Sequence, residues 1–109
     1  MKDDEYYIQR ALSDMDFVVH HMKTIHNVSE LTSNPLLLDS MSFRLIQIAE
    51  SISHVSDELK KAHRDIPWID IKGLRNRLVH DYGNVNYSFV YIAVKEDIPE
   101  LKKQLERLI

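Results

Sequence analysis

The chain has no cysteine, and only two glycines and three prolines in 109 residues. Without cysteine it can form no disulfide, carry no thiolate chemistry and build no Cys-based zinc site. Scarce glycine and proline leave few turns, so a few long elements with short connections are expected, and these are helices. No stretch approaches the ~20 apolar residues of a membrane span. The opening MKDDEYYIQR is charged and polar, unlike a signal peptide. A cytoplasmic location without a membrane partner is therefore expected. Repeats, low-complexity tracts and linkers are absent too, so one domain over residues 1–109 is expected. A chain this small has an unfavourable surface-to-volume ratio, which makes an additional face buried in a dimer attractive.

Net charge is small, at −3, although 28% of the residues are charged. Its distribution says more than its sum. Between Lys60 and His80 stand six basic residues (Lys60, Lys61, Arg64, Lys72, Arg75 and Arg77) against Asp65 and Asp70, a local +4 on a remainder of −7. Such a patch on an acidic body can attract phosphate locally without general affinity for nucleic acid. A chance cluster on a solvated face would read the same way.

Apolar spacing then fixes the expected elements. Ile8, Leu12, Met15, Val19, Met22 and Ile25 recur at steps of three and four, which predicts an amphipathic helix over 4–26. Residues 27–34 read as a connection, with Ser33 or Asn34 as N-cap and Pro35 in the first turn of a second helix. That helix is expected to run to about Ala62, because Leu38, Met41, Leu45, Ile48, Ile52, Val55 and Leu59 form a heptad seam. Pro67 begins a third, carrying Trp68, Ile71, Leu74 and Leu78 and ending near His80 to Gly83, with Gly83-Asn84 as a left-handed stop. Trp68 reads as a core anchor. Asn86 caps a fourth through about Lys95, with Phe89, Val90 and Ala93 inward. Asp97 and Pro99 interrupt it, and a short last helix follows with Leu101, Leu105 and Leu108. The expected fold is an all-α, up-and-down bundle of four to five helices.

Against this plain background, GLRNRLVHDYG at 73–83 is dense in polar chemistry. Asn76 and His80 are four apart and share a helical face. Arg75 and His80 are five apart, about 140° around an ideal helix; a long arginine stem or an unwinding last turn could bring their heads together. Arg offers planar, permanently charged donors suited to phosphate. His accepts and returns a proton near neutral pH. RNA brings its own nucleophile, the 2′-hydroxyl, so Arg and His alone could cleave it without metal or cofactor, leaving a 2′,3′-cyclic phosphate and a 5′-hydroxyl. Equally, Arg and His near a helix C-terminus can simply bond free carbonyls and complement the dipole. Spacing leaves both readings open. Glu50, beside the heptad seam, needs a partner if buried, and Arg75 or His80 could serve. His20, His21 and His26 lack the i, i+4 spacing of a helical zinc pair, so no metal site is expected.

The run Arg75-Asn76-Arg77-Leu78-Val79-His80-Asp81-Tyr82 resembles the R-x4-H-x-Y motif of HEPN-domain toxins of the HepT type. The preceding Pro67-Trp68-Ile69-Asp70-Ile71-Lys72-Gly73-Leu74 is similar to the family's lead-in. Ile48-Ala49-Glu50 is similar to its acidic segment on the second helix, and 85–105 to its closing helices with the Asp-x-Pro break. The likeness covers nearly the whole chain. It implies a HEPN-like bundle, a homodimer with both motifs facing one cleft, and metal-independent ribonuclease toxicity toward mRNA or tRNA. It also implies a partner, an MNT-type minimal nucleotidyltransferase antitoxin that neutralises the toxin by transferring AMP to the motif tyrosine. Carried across, Arg75 and His80 are catalytic, Tyr82 is the AMPylation site, and Asn76 and Glu50 are supporting residues. The alternative is a non-catalytic module that binds a nucleotide or docks a nucleotidyltransferase as its accessory subunit.

Overall fold

A computed structural model describes residues 3–80 and 87–109, with Val79 and His80 by their backbone. Among these residues every regular element is helical: α1 (Asp4–Met22), α2 (Val28–Thr32), α3 (Pro35–Ser53), α4 (Asp57–Ala62), α5 (Trp68–His80), α6 (Ser88–Ile92), a π-helical turn (Ala93–Asp97) and α7 (Ile98–Glu106). The all-α bundle expected from the sequence is what the chain forms.

Polar side chains set the starts. Asp3 accepts from the Tyr6 amide at 3.0 Å, and Asn34 from the Leu37 amide at 3.2 Å with Pro35 in the first turn of α3. These are the caps that satisfy orphan donors at helix N-termini. The connection over 27–34 holds a short helix of its own. Asn27 caps α2 through the Glu30 amide, and the Glu30 carboxylate accepts from the His26 amide at 2.8 Å, a reciprocal arrangement of the capping-box kind. α1 ends at Met22, earlier than the expected residue 26. Lys95 Nζ reaches across to donate to the Met22 carbonyl at 2.8 Å, and Ile25 is still buried in the turn that follows.

The seam from Leu38 is buried as far as Val55, but the helix carrying it is not continuous to Ala62. It stops at Ser53, and Ser56 begins α4. Ser56 donates its amide and its hydroxyl to Asp4, both at 2.7 Å, and its Oγ accepts from the Leu59 amide. The tertiary bonds to α1 and the cap together outweigh continuation of α3. Leu59 is consequently only partly buried.

The second correction lies in the C-terminal third. The expected interruption at Asp97 and Pro99 is a π turn inside one unbroken helical run from Ser88 to Glu106. Proline in a helix loses a hydrogen bond and clashes with the carbonyl four residues back. A widened turn absorbs that conflict without ending the helix. Val90, Ala93, Val94, Ile98, Leu101 and Leu105 are all buried along this run. Phe89 is only partly buried. The expected Gly83-Asn84 stop and Asn86 cap lie outside the described residues.

α3 is the central element: it packs on α1 along one side and on α5 along the other, while α1 also packs on α7. Arg44 of α3 bonds Asp14 of α1 at 2.7 Å and lies over the Phe17 ring. Trp68 is partly buried rather than fully so, and its Nε1 donates to the His63 carbonyl at 3.0 Å, pinning the break before α5. Among the described residues no helix is long and apolar enough to cross a membrane.

Candidate active site

Helix α5 carries the polar run. Its Ile71 and Leu78 are buried against the core, and Arg75 stands one turn from each, so its stem starts beside the α3–α5 contact. There it meets Glu50. Arg75 Nε lies 2.6 Å from Glu50 Oε1, with both side chains 46% exposed. Glu50 therefore sits at a rim, paired with one of the two partners its position beside the seam allowed, rather than buried.

An ion pair this exposed contributes only about 0.2–1 kcal/mol to stability. Its geometry matters more. Nε is one of five guanidinium N–H donors in a rigid fork. Holding it on a carboxylate orients the guanidinium plane, and the N–H donors at the far end of the fork are suited to two oxygens of a phosphate. If Arg75 has the catalytic role the resemblance implies, Glu50→Ala is expected to lower RNA cleavage about tenfold by loosening that orientation, while changing the unfolding free energy by less than ~1 kcal/mol. Cleavage kinetics beside urea denaturation separate the two effects.

Asn76, one residue on, is exposed. The backbone stays α-helical through His80, so the helix does not unwind before that residue. The offset of about 140° between positions 75 and 80 persists. Position 80 keeps the face of Asn76, and the axial rise from 75 to 80 is about 7.5 Å. Asp81 and the expected modification site Tyr82 lie outside the described residues.

The basic stretch does not form one surface on α5. Arg77 is two residues from Arg75, about 160° round the helix, and its guanidinium lies 4.1 Å from the centre of the Phe89 ring on α6, a cation–π contact. Sequence reasoning placed Phe89 inward and missed this pairing. Aromatic and cationic residues twelve apart carried no periodic signal for it. A second unanticipated feature is the stack of Tyr7 on His54, 4.7 Å between ring centres, with His54 one α3 turn beyond Glu50.

Fold and site together define a small helical bundle with an oriented, half-exposed arginine on its rim, on the helix that also bears Asn76 and His80. The chain belongs to the HepT-like family, described as ribonuclease HepT-like, whose model matches residues 7–108. It is 28% identical over 109 residues to "Putative RNase TTE0752" of Caldanaerobacter subterraneus subsp. tengcongensis, covering 100% of this chain and 96% of that protein. It is 27% identical over 105 residues to "Putative RNase MJ1380" of Methanocaldococcus jannaschii, covering 96% and 95% of the two chains. With "Probable ribonuclease HepT" of Thermococcus cleftensis it shares 36% identity over 61 residues, 56% of each chain. No solved structure matches significantly.

Proposed function

We propose that this protein is a ribonuclease toxin that cleaves RNA without metal, acts as a homodimer and is silenced by AMPylation of Tyr82. The observation that carries the reading is the Arg75–Glu50 pair, because it presents an oriented cation at an accessible rim beside the helix end that holds His80. Family membership and the ribonuclease names of the relatives support the same reaction class.

The helical offset bears on the site's composition. On one straight helix positions 75 and 80 are set about 140° apart. Two copies related by a twofold axis can instead set Arg75 of one opposite His80 of the other. Leu36 is 84% and Phe43 54% exposed on α3; with Glu50 they are spaced by seven residues, so an exposed apolar strip leads along the helix to the Arg75–Glu50 pair. Burying that strip between two copies brings the two rims together.

In that cleft the imidazole of His80 takes the proton of a ribose 2′-hydroxyl. The 2′-oxygen attacks the adjacent phosphorus, and Arg75 neutralises charge building on the phosphoryl oxygens. The 5′-oxygen leaves and takes a proton from water. The products are a 2′,3′-cyclic phosphate and a 5′-hydroxyl. The test is purified protein on mRNA and tRNA in EDTA: cleavage with those ends is expected, and its absence leaves the accessory-subunit reading.

Control by a nucleotidyltransferase is what the family resemblance implies, with Tyr82, two residues past His80 in the sequence, as the modified residue. An AMP there adds bulk and negative charge where the RNA phosphate must enter. With an MNT-type transferase, ATP and Mg²⁺, the chain is expected to gain AMP units by mass spectrometry, and Tyr82→Phe to gain none.

A further inference from the structure

A second concave surface lies away from Arg75. It is a groove of about 880 Å³ between α5 and the π turn and α7. Ile69 and Leu74 contribute the accessible apolar surface, over a floor closed by the buried Ile98 and Leu101, and Ile69 is 84% exposed. Gly73 lies midway along the α5 wall, with nothing within 4 Å of where a Cβ would stand, so a helix backbone can approach closely there. Each wall, Ile69 to Arg77 and Glu96 to Gln104, is about 12 Å long, a little over two helical turns.

The rim is acidic. Asp65 and Asp70 face it from the α5 side and Glu96, Asp97 and Glu100 from the other, with Arg77 the cation in the lining. Among the described residues none of these five carboxylates forms an ion pair. Their crowding is visible at Asp97, whose carboxyl is pushed above the ordinary carboxylate range by burial, and further by Glu96 and by Asp70 on the facing helix. A phosphate backbone is repelled from such a place. The groove also lies on the flank of α5 opposite Arg75, since Gly73 and Arg77 are each about 160° from it.

We infer that this groove is a docking site for a basic amphipathic helix of a protein partner, whose apolar face fills the floor while its Lys and Arg side chains meet the two acidic rims. Helix-in-groove recognition uses anchors at i, i+3/i+4 and i+7, which fits the length of the walls. Opposite charge on both rims fixes orientation and speeds encounter. RNA held at Arg75 and a partner held here would sit on opposite sides of α5, so the two can bind together. The inference stands on the groove alone and does not require the ribonuclease reading.

The test uses the whole chain and a fluorescent helical peptide of about 16 residues, with leucine at the anchor positions and lysine or arginine elsewhere. A twin carries glutamate in place of every basic residue. In anisotropy titrations the basic peptide is expected to bind at least about tenfold more tightly than its twin, and more weakly as salt rises. Asp70→Lys/Glu100→Lys, and separately Ile69→Asp, are each expected to weaken it about tenfold, with helical content unchanged. RNA cleavage by these variants is expected to stay within about twofold of wild type; loss of peptide binding with cleavage intact separates groove from active site. Equal binding of both peptides, or undiminished binding by the charge-reversed variant, overturns the proposal. Self-association of wild type that Ile69→Asp abolishes would assign the groove to a second copy, and overturns it too.

Discussion

His80→Ala is expected to reduce RNA cleavage by about a thousandfold while leaving the bundle folded. Removing a general base typically costs 10²–10⁴ in rate, and position 80 is at the end of α5, after the last described core contact at Leu78. Circular dichroism and thermal unfolding should therefore match wild type while product formation collapses. Expression of wild type is expected to arrest growth and expression of His80→Ala is not. A substrate with a 2′-deoxyribose at the cleaved position is expected to resist wild type completely, because the proposed reaction draws its nucleophile from the substrate. Arg75→Ala should fall by a similar margin through loss of charge stabilisation on the phosphorane, where a single donor is worth 10²–10³. A folded His80→Ala protein that still cleaves, or still arrests growth, removes the proposed chemistry.

Much of what positions this site could be read from residue spacing. Ile71, Leu74 and Leu78 place α5 on the core with Arg75 at its edge, and the position of Glu50 beside the seam of α3 makes it a possible partner on spacing alone. Two boundaries were harder because a local signal had to outweigh a periodic one. The heptad seam runs on to Val55 and Leu59, yet Ser56-Asp57-Glu58 is a helix start, and it prevails because Asp4, 52 residues earlier, bonds Ser56. Asp97-Ile98-Pro99 signals a break, but the buried stripe from Val90 through Leu105 rewards one continuous helix and a π turn reconciles the two. The acidic groove is a different case. Its rims come from residues about 30 apart on elements that leave a gap, and gaps between helices have no periodic signature in the sequence. The split of Arg75 and Arg77 onto opposite flanks was implicit in the helical angle, although the local charge count grouped them.

Mixing the two inactive variants is expected to restore activity. If each cleft takes Arg75 from one copy and His80 from the other, an Arg75→Ala chain paired with a His80→Ala chain forms one fully wild-type cleft and one lacking both groups. Random mixing makes half the dimers mixed, so about a quarter of wild-type activity should return, from two proteins each about a thousandfold down. The physical reason is the helix itself: α5 remains helical through His80, and a five-residue step sets the two positions about 140° apart. If the proposed association through the Leu36–Phe43 strip brings the clefts together, Phe43→Asp, with a half-exposed apolar ring replaced by a charge, should abolish complementation and wild-type cleavage alike, with sedimentation shifting to monomer. Cleavage confined to one chain predicts the opposite pattern, in which the mixture stays as inactive as its components and the Phe43→Asp monomer keeps its rate. Restoration in the mixture therefore decides whether the ribose-phosphate link is cut by one protein or between two.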